Sequence, residues 1–227
     1  MPIVETRNLT KIYKMGSSLV HALRGVDLTI EAGEFLSIMG RSGSGKSTLL
    51  NMIGCLDRPT EGTVVIDGVE VTKLPKRKLP LIRRQKVGFV FQQFNLLPTL
   101  TALENVMLPL RYAGISGRQQ KKKAQEALER VGLGDRLSHR PTELSGGEQQ
   151  RVAIARAIVN QPAIILADEP TGEVDTHTAA AIIELMHQFN QTLGQTFIIV
   201  THDPLVAERT ERIIHLQDGA IEREERR

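Results

Sequence analysis

The sequence predicts an α/β fold: a mainly parallel sheet, an antiparallel β subdomain ahead of it, and an all-helical segment inserted into it. Three observations carry this. Continuous apolar runs such as Phe35-Leu36-Ser37-Ile38-Met39, Val87-Gly88-Phe89-Val90-Phe91 and Ile164-Ile165-Leu166-Ala167 read as strands buried on both faces, as parallel strands between layers are. The stretch up to Gly68 instead alternates apolar and polar residues between turn signals, the pattern of an antiparallel meander. From Thr101 to Asn160 the apolar spacing becomes helical.

In chain order, 3–6, 26–30 and 63–66 are strand candidates, with turns at Glu31-Ala32-Gly33 and Asp67-Gly68. Residues 35–39 form a buried strand that feeds a glycine-rich loop and a helix beginning near Lys46. Residues 87–91 form another, ending at Gln92. Thr101-Ala102-Leu103-Glu104 and Ser145-Gly146-Gly147-Glu148 both fit a helix capping box, and a charged helix lies between Gly117 and Gly132. Strand–helix alternation then returns: a strand over 163–167, a helix over 176–193, a strand over 196–200 and a last strand over 212–216 before Asp218-Gly219. Residues 1–94 and 161–227 are therefore expected to form the α/β core with its antiparallel subdomain, and 95–160 the helical subdomain. The terminal Glu222-Arg223-Glu224-Glu225-Arg226-Arg227 alternates in sign and reads as a solvated or frayed end.

Composition narrows the function. With 41% hydrophobic residues the 227-residue chain can bury a real core. Its one cysteine, Cys55, excludes an intramolecular disulfide and a cysteine zinc site. No apolar run reaches the roughly 18–20 residues that cross a bilayer, and Met1-Pro2-Ile3-Val4-Glu5 lacks a signal-peptide pattern. The expectation is a chain soluble by itself that reaches a membrane through a partner. Net charge is +3, and the basic clusters Arg83-Arg84-Gln85-Lys86 and Lys121-Lys122-Lys123 are short and lack interleaved aromatics, so no nucleic-acid partner is expected.

Four peptides carry the chemistry. Gly40-Arg41-Ser42-Gly43-Ser44-Gly45-Lys46-Ser47-Thr48 fits G-x-x-x-x-G-K-[ST] between a strand and a helix. Its glycines let successive N–H groups turn inward at a helix N-terminus, a nest for anionic phosphates. Lys46 reaches the β and γ phosphates as a point charge, and Ser47 offers a hydroxyl to Mg²⁺. Ile164-Ile165-Leu166-Ala167-Asp168-Glu169 is an apolar strand ending in two acids. Asp168 suits magnesium binding through water, and Glu169, not needed for that, suits a base that polarises the attacking water. The rival for Glu169 is a surface salt bridge, but the abrupt Pro170-Thr171-Gly172 turn favours a carboxylate kept near the site. Ser145-Gly146-Gly147 leaves a helix N-terminus bare of side chains, which again attracts phosphate. Val200-Thr201-His202-Asp203 is a strand ending in a histidine, at the end of the sheet where ligands gather. His21, His139, His177, His187 and His215 have no such context.

All four, in this order, resemble the ATP-binding cassette (ABC) ATPases, a phosphate-loop NTPase family, and Leu144-Ser145-Gly146-Gly147-Glu148-Gln149 separates that family from kinases and GTPases. The resemblance implies ATP and Mg²⁺ as ligands and Glu169 as catalytic base. It implies a γ-phosphate contact for His202 and a link from Gln92 to magnesium and water. Gln93 is the rival to Gln92. Tyr13 resembles the aromatic that stacks on adenine, its rival being a half-buried strand tyrosine. Asp175 matches an aspartate at the dimer contact, although Glu173-Val174 before it departs from the commoner small residue followed by Leu. In the family, the Ser145-Gly146-Gly147 helix start of one subunit caps the phosphate held by the other, so an ATP-dependent homodimer is implied.

Further stretches look like the lipoprotein-releasing and macrolide-exporter (LolD- and MacB-like) branch: Lys14-Met15-Gly16, Ile53-Gly54-Cys55-Leu56-Asp57-Arg58-Pro59-Thr60-Glu61-Gly62, and Phe91-Gln92-Gln93-Phe94-Asn95-Leu96-Leu97-Pro98-Thr99-Leu100-Thr101-Ala102-Leu103-Glu104-Asn105-Val106. That implies a permease partner with few membrane helices and a large extracytoplasmic domain, at the cytoplasmic face of the inner membrane. Its coupling helix is expected near 92–105, with Phe94, Leu96 and Leu97 as exposed apolar contacts. The rivals are a soluble ABC ATPase acting on DNA or ribosomes, which usually needs coiled-coil arms or two cassettes, and an unrelated phosphate-loop kinase, which leaves Ser145-Gly146-Gly147 and His202 unexplained.

Overall fold

A computed structural model describes residues 2–227. Among the described residues there are two sheets and seven α-helices. The antiparallel sheet has the order β2-β1-β4-β5, with β1 at Pro2–Met15, β2 at Ser18–Glu31, β4 at Glu61–Ile66 and β5 at Val69–Glu70. The larger sheet has the order β10-β9-β3-β8-β7-β6. Its strands are β3 (Phe35–Met39), β6 (Val87–Phe91), β7 (Ile164–Asp168), β8 (Thr196–Thr201), β9 (Arg212–Gln217) and β10 (Ala220–Arg226). All its pairings are parallel except β9 with β10.

The continuous apolar runs have a direct consequence. Successive side chains of a strand face opposite sides, so each run feeds two cores. Phe35, Ile165, Ala167, Phe197 and Ile199 join the core beneath the inserted helices. Leu36, Ile38, Ile164, Leu166, Ile198 and Val200 join the one beneath the antiparallel sheet. That second core also buries Leu49, Leu50, Met52 and Ile53 of α1 (Lys46–Ile53).

Between β6 and β7 lie α3 (Ala102–Tyr112), α4 (Gly117–Arg130) and α5 (Gly146–Ile158). Both expected capping boxes form: Thr101 Oγ1 accepts from the Glu104 N–H at 3.2 Å, and Ser145 Oγ from the Glu148 N–H at 3.3 Å. The α6 helix (Thr176–Leu193) is capped by Asp175 at its start and stopped by Gly194 at φ 63°, in the left-handed region open to glycine. The four-residue α7 (Pro204–Ala207) completes the set.

Four elements went unread: β5, α2 (Leu79–Lys86), α7 and β10. The two-residue β5 is too short to show a period, α2 hides behind Pro80 and three basic residues, and α7 is a single turn. The C-terminal tail is a correction. It is not frayed: β10 pairs with β9 through a turn at Asp218-Gly219, both at positive φ. Arg212, buried on β9, holds it by donating Nη2 to Glu224 Oε2 at 2.7 Å and Nη1 to Glu34 Oε2 at 3.0 Å. Alternating charge here marks a charged edge strand, which resists pairing with another chain. A second correction concerns 94–97. Phe94 and Leu96 are half-buried, with Leu96 packed on the core, and only Leu97 of the three is exposed.

Candidate functional site

The loop between β3 and α1 is shaped by its glycines. A Cβ on Gly40 would fall 2.2 Å from the Leu216 carbonyl oxygen, and one on Gly45, at φ 103°, 2.5 Å from that of Ala22. Neither position admits a side chain. Gly45 is the N-cap of α1 without a side-chain cap, so the first N–H groups of that helix face outward for an anion. Ser44 Oγ is buried and has no partner among the described residues. An unpaired buried hydroxyl costs free energy unless a ligand satisfies it. Lys46 is folded over the loop, its Nζ donating to the carbonyls of Gly40 at 2.7 Å and Arg41 at 2.9 Å.

Beside the loop, parallel pairing brings three strand ends level: Asp168 is opposite Phe91 on β6 and Val200 on β8. Gln92, Glu169 and His202 follow at the same end of the sheet. Ser47 Oγ donates to Asp168 Oδ1 at 3.2 Å, leaving two hard oxygens adjacent, the donor type that Mg²⁺ prefers. Burial pushes the Asp168 carboxyl above the usual range and the charge on Glu169 adds to this, while the Ser47 hydrogen bond and the charge on Lys46 pull it back. Glu169 is at φ 47°, and its N–H donates to Val200 O at 2.9 Å. A glutamate in the left-handed region is strained, and that turn aims its carboxylate at the cleft. Glu169 Oε1 lies 2.8 Å from His202 Nδ1, an interaction of charge–charge type only when the imidazole is protonated.

Gly45, Lys46, Ser47, Gln92, Glu169 and His202 line one cavity of about 800 Å³, together with Tyr13, Arg41, Ser42, Gly43 and Thr48, and Asp168 borders it through its hydrogen bond with Ser47. Gln92 lines it and Gln93 does not. The Gln92 amide rests on Gly172, and its Nε2 donates to Glu173 Oε1 at 3.4 Å. Tyr13 donates its hydroxyl to Asp57 Oδ2 at 3.0 Å and carries Lys11 Nζ over its ring at 4.7 Å. The far wall is Val20, His21 and Ala22 of β2, so His21 is nearer the chemistry than its sequence context implied.

The remaining predicted residues lie elsewhere. Ser145, Gly146 and Gly147 open α5 beside the start of α6, where a Cβ on Gly147 would fall 2.5 Å from Thr178 Cγ2. Asp175 spends its carboxylate as the α6 cap, accepting from the N–H groups of His177 and Thr178, each at 3.0 Å. None of these four lines the cavity that holds Lys46. The structure thus gathers the loop, both acids, Gln92 and His202 into one site and leaves the glycine helix start as a second, separate one.

The comparisons bear on this pair of sites. Residues 23–172 match the family model described as ABC transporter. The chain is 55% identical to the uncharacterized ABC transporter ATP-binding protein MJ0796 of Methanocaldococcus jannaschii, over 99% of this chain and 97% of that one. The chain belongs to the ABC transporter ATP-binding family. The MacB macrolide export ATP-binding/permease protein of Syntrophobacter fumaroxidans is 47% identical over 99% of this chain, which spans 32% of that longer protein. A solved dimeric structure of MJ0796, bound to ADP and Pi in a post-hydrolysis state, superposes with a TM-score of 0.90 at 54% identity, covering 98% of each chain. As an ABC cassette, this chain is the ATP-binding and ATP-hydrolysing subunit of an ABC transporter. Among the described residues no helix is long and apolar enough to cross a membrane.

One residue of this cassette that the motifs did not flag is Gln150. It is fully buried on α5 and hydrogen-bonded to the backbone on either side of the cleft. Its signal was legible: Gln150, Ala153, Ile154, Ala157 and Ile158 share one helical stripe, and a polar residue on a buried stripe needs a partner.

Proposed function

We propose that two copies of this chain close head-to-tail on two ATP molecules, each held by the loop of one copy and capped by the glycine helix start of the other. The observation that carries this reading is the separation of the two phosphate-type sites: Ser145, Gly146 and Gly147 lie outside the cavity of Lys46, so neither site alone encloses a nucleotide. In this reading Lys46 exchanges the Gly40 and Arg41 carbonyls for phosphate oxygens, and Ser44 finds its missing partner there. Tyr13 stacks on the base. Ser47, Asp168 and Gln92 hold Mg²⁺, which supplies charge neutralisation when bound. Glu169 accepts a proton from the attacking water as the water oxygen bonds to the γ-phosphorus and the bond to the β-phosphate oxygen breaks. His202 holds the Glu169 carboxylate and then the γ-phosphate. Asp175 and its loop face the partner copy. Residues 95–160 act as a subdomain that carries Ser145 to the other copy's nucleotide.

The permease joins the same reading. Its coupling helix meets a groove of about 460 Å³ lined by Leu56, Pro80, Leu81, Phe89, Pro109 and Tyr112. The kinship with MacB supports an exporter or extractor whose permease has few membrane helices and a large external domain, with this chain at the cytoplasmic face of the membrane.

Glu169→Gln should keep ATP binding, nearly abolish turnover and give an ATP-dependent dimer on gel filtration. Wild-type turnover in that variant would remove Glu169 as base. Ser145→Arg should block the dimer while monomer affinity for ATP stays unchanged; loss of monomer binding instead would overturn the trans-acting role of α5. Affinity purification from native membranes, followed by mass spectrometry, identifies the permease.

A further inference from the structure

The interior of this cassette buries few side-chain amides, and Gln150 is the one that touches both loops of the catalytic cleft. It is 0% exposed. Its Nε2 donates to the carbonyl oxygen of Pro170, immediately after Glu169, and at 3.4 Å to that of Phe91, immediately before Gln92. An amide nitrogen carries two protons, so a single side chain serves both strand ends. The donor end is thereby fixed, and Oε1 is left buried without a partner among the described residues. Burying an amide with one end unsatisfied costs free energy. An apolar residue would fit the stripe of Ala153, Ile154 and Ala157 without that cost, so packing does not explain the choice. The carbonyls do. Both sit where β6 and β7 stop pairing and the backbone must turn, and each needs a donor from outside the sheet.

The backbone connectivity gives the contact its meaning. Gln150 lies five residues after Ser145 on one continuous helix. A displacement of that helix start moves Gln150 as a rigid unit, and with it the peptides that carry Glu169 and Gln92. Glu169 is held at φ 47°, a conformation that persists only where its surroundings enforce it. We propose that Gln150 is a positioning residue: it ties the α5 helix start to the Glu169 and Gln92 peptides, so that docking of α5 on the partner's nucleotide sets the catalytic groups of its own subunit. This rests on the head-to-tail reading above.

The test is Gln150→Leu, which keeps the volume and helix propensity and removes the donors. Ile154→Ala, on the same helix and fully buried but with no polar contact, is the packing control. ATPase kinetics, binding of a fluorescent ATP analogue to the monomer, and melting temperature are measured for both. The expected result for Gln150→Leu is a kcat about tenfold lower or more, as for loss of an orienting partner, with analogue affinity unchanged. Its Hill coefficient for ATP should also fall towards one. Ile154→Ala should lose stability and keep kcat and the Hill coefficient. Unchanged kcat and Hill coefficient in Gln150→Leu, or equal losses in both variants, would overturn the inference. The Glu169→Gln background separates this from the parent reading. If that protein forms no ATP-dependent dimer, the head-to-tail reading fails and takes the inference with it. If it dimerises while Gln150→Leu retains wild-type kinetics, only the inference fails.

Discussion

Gly172→Ala separates catalytic positioning from stability, because the two should move in opposite directions. Gly172 lies outside the left-handed region, so its backbone accepts alanine. Such a replacement usually stabilises by about 0.4–1 kcal/mol through the unfolded chain. The added Cβ, however, would fall 2.8 Å from Gln92 Nε2 and 3.0 Å from its Cδ and Cγ. Carbon contacts settle near about 3.5 Å or beyond, so the amide must retreat by roughly 0.5–1 Å. Gln92 is exposed and free to do so at little cost in stability. Misplacing a positioning group by about 1 Å can cost about 100-fold in rate. The expectation is therefore an unchanged or slightly raised melting temperature with kcat lowered by up to about 100-fold. Phosphate release and thermal melting measure the two. Gln92→Ala should lower kcat similarly, and adding Gly172→Ala to it should change nothing more, since both act through one amide. A kcat within about twofold of wild type, or a second full loss in the double variant, would refute the chain from Gly172 to Gln92 to catalysis.

Three further outcomes are expected. Cys55 is 2% exposed and burial pushes its thiol up to about 11, so a thiol reagent at pH 8 should label it only on unfolding; rapid labelling of the native chain would contradict its burial. Arg212→Met leaves Glu34 and Glu224 without their cation, and because Glu224 is partly exposed the cost should sit near the low end for a broken buried pair, about 3 kcal/mol, a melting-temperature drop of roughly 6–12 °C. A melting temperature equal to wild type would mean β10 is held by other means. Hydrogen bonds from the Thr101 and Ser145 N–H groups hold the Glu104 and Glu148 carboxyls below the usual range. Folded values below unfolded ones stabilise above the unfolded pKa of about 4.3 and lose that stability as pH falls through the folded values. Urea titrations below that pH should show a shallower acid loss in a Glu104→Gln, Glu148→Gln double variant than in wild type; parallel curves would sink the assignment.

Sequence alone determined whatever is written locally. The loop at Gly40–Ser47 needs small residues at set positions, and those are read directly. The same holds for capping boxes at Thr101 and Ser145, where side chain and backbone lie three residues apart. Strands β3, β6, β7 and β8 were legible because burial on both faces leaves an unbroken apolar run. What the sequence could not carry depends on contacts between distant segments. Charge alternation at 222–226 is the same for a frayed tail and an edge strand, and only Arg212 and the free edge of β9 decide between them. Leu96 reads like Leu97 until the core is assembled, when one packs inward and the other stays outside. Gln92 and Gln93 differ by one residue in sequence and by which side of the chain faces the cavity. Gln150 lies 59 residues from Phe91 and 20 from Pro170, and its role exists only once α5 packs between those two carbonyls. Local chemistry survives in any fold that keeps a peptide's backbone; the partner of a buried polar group is fixed only by the packing of the whole chain.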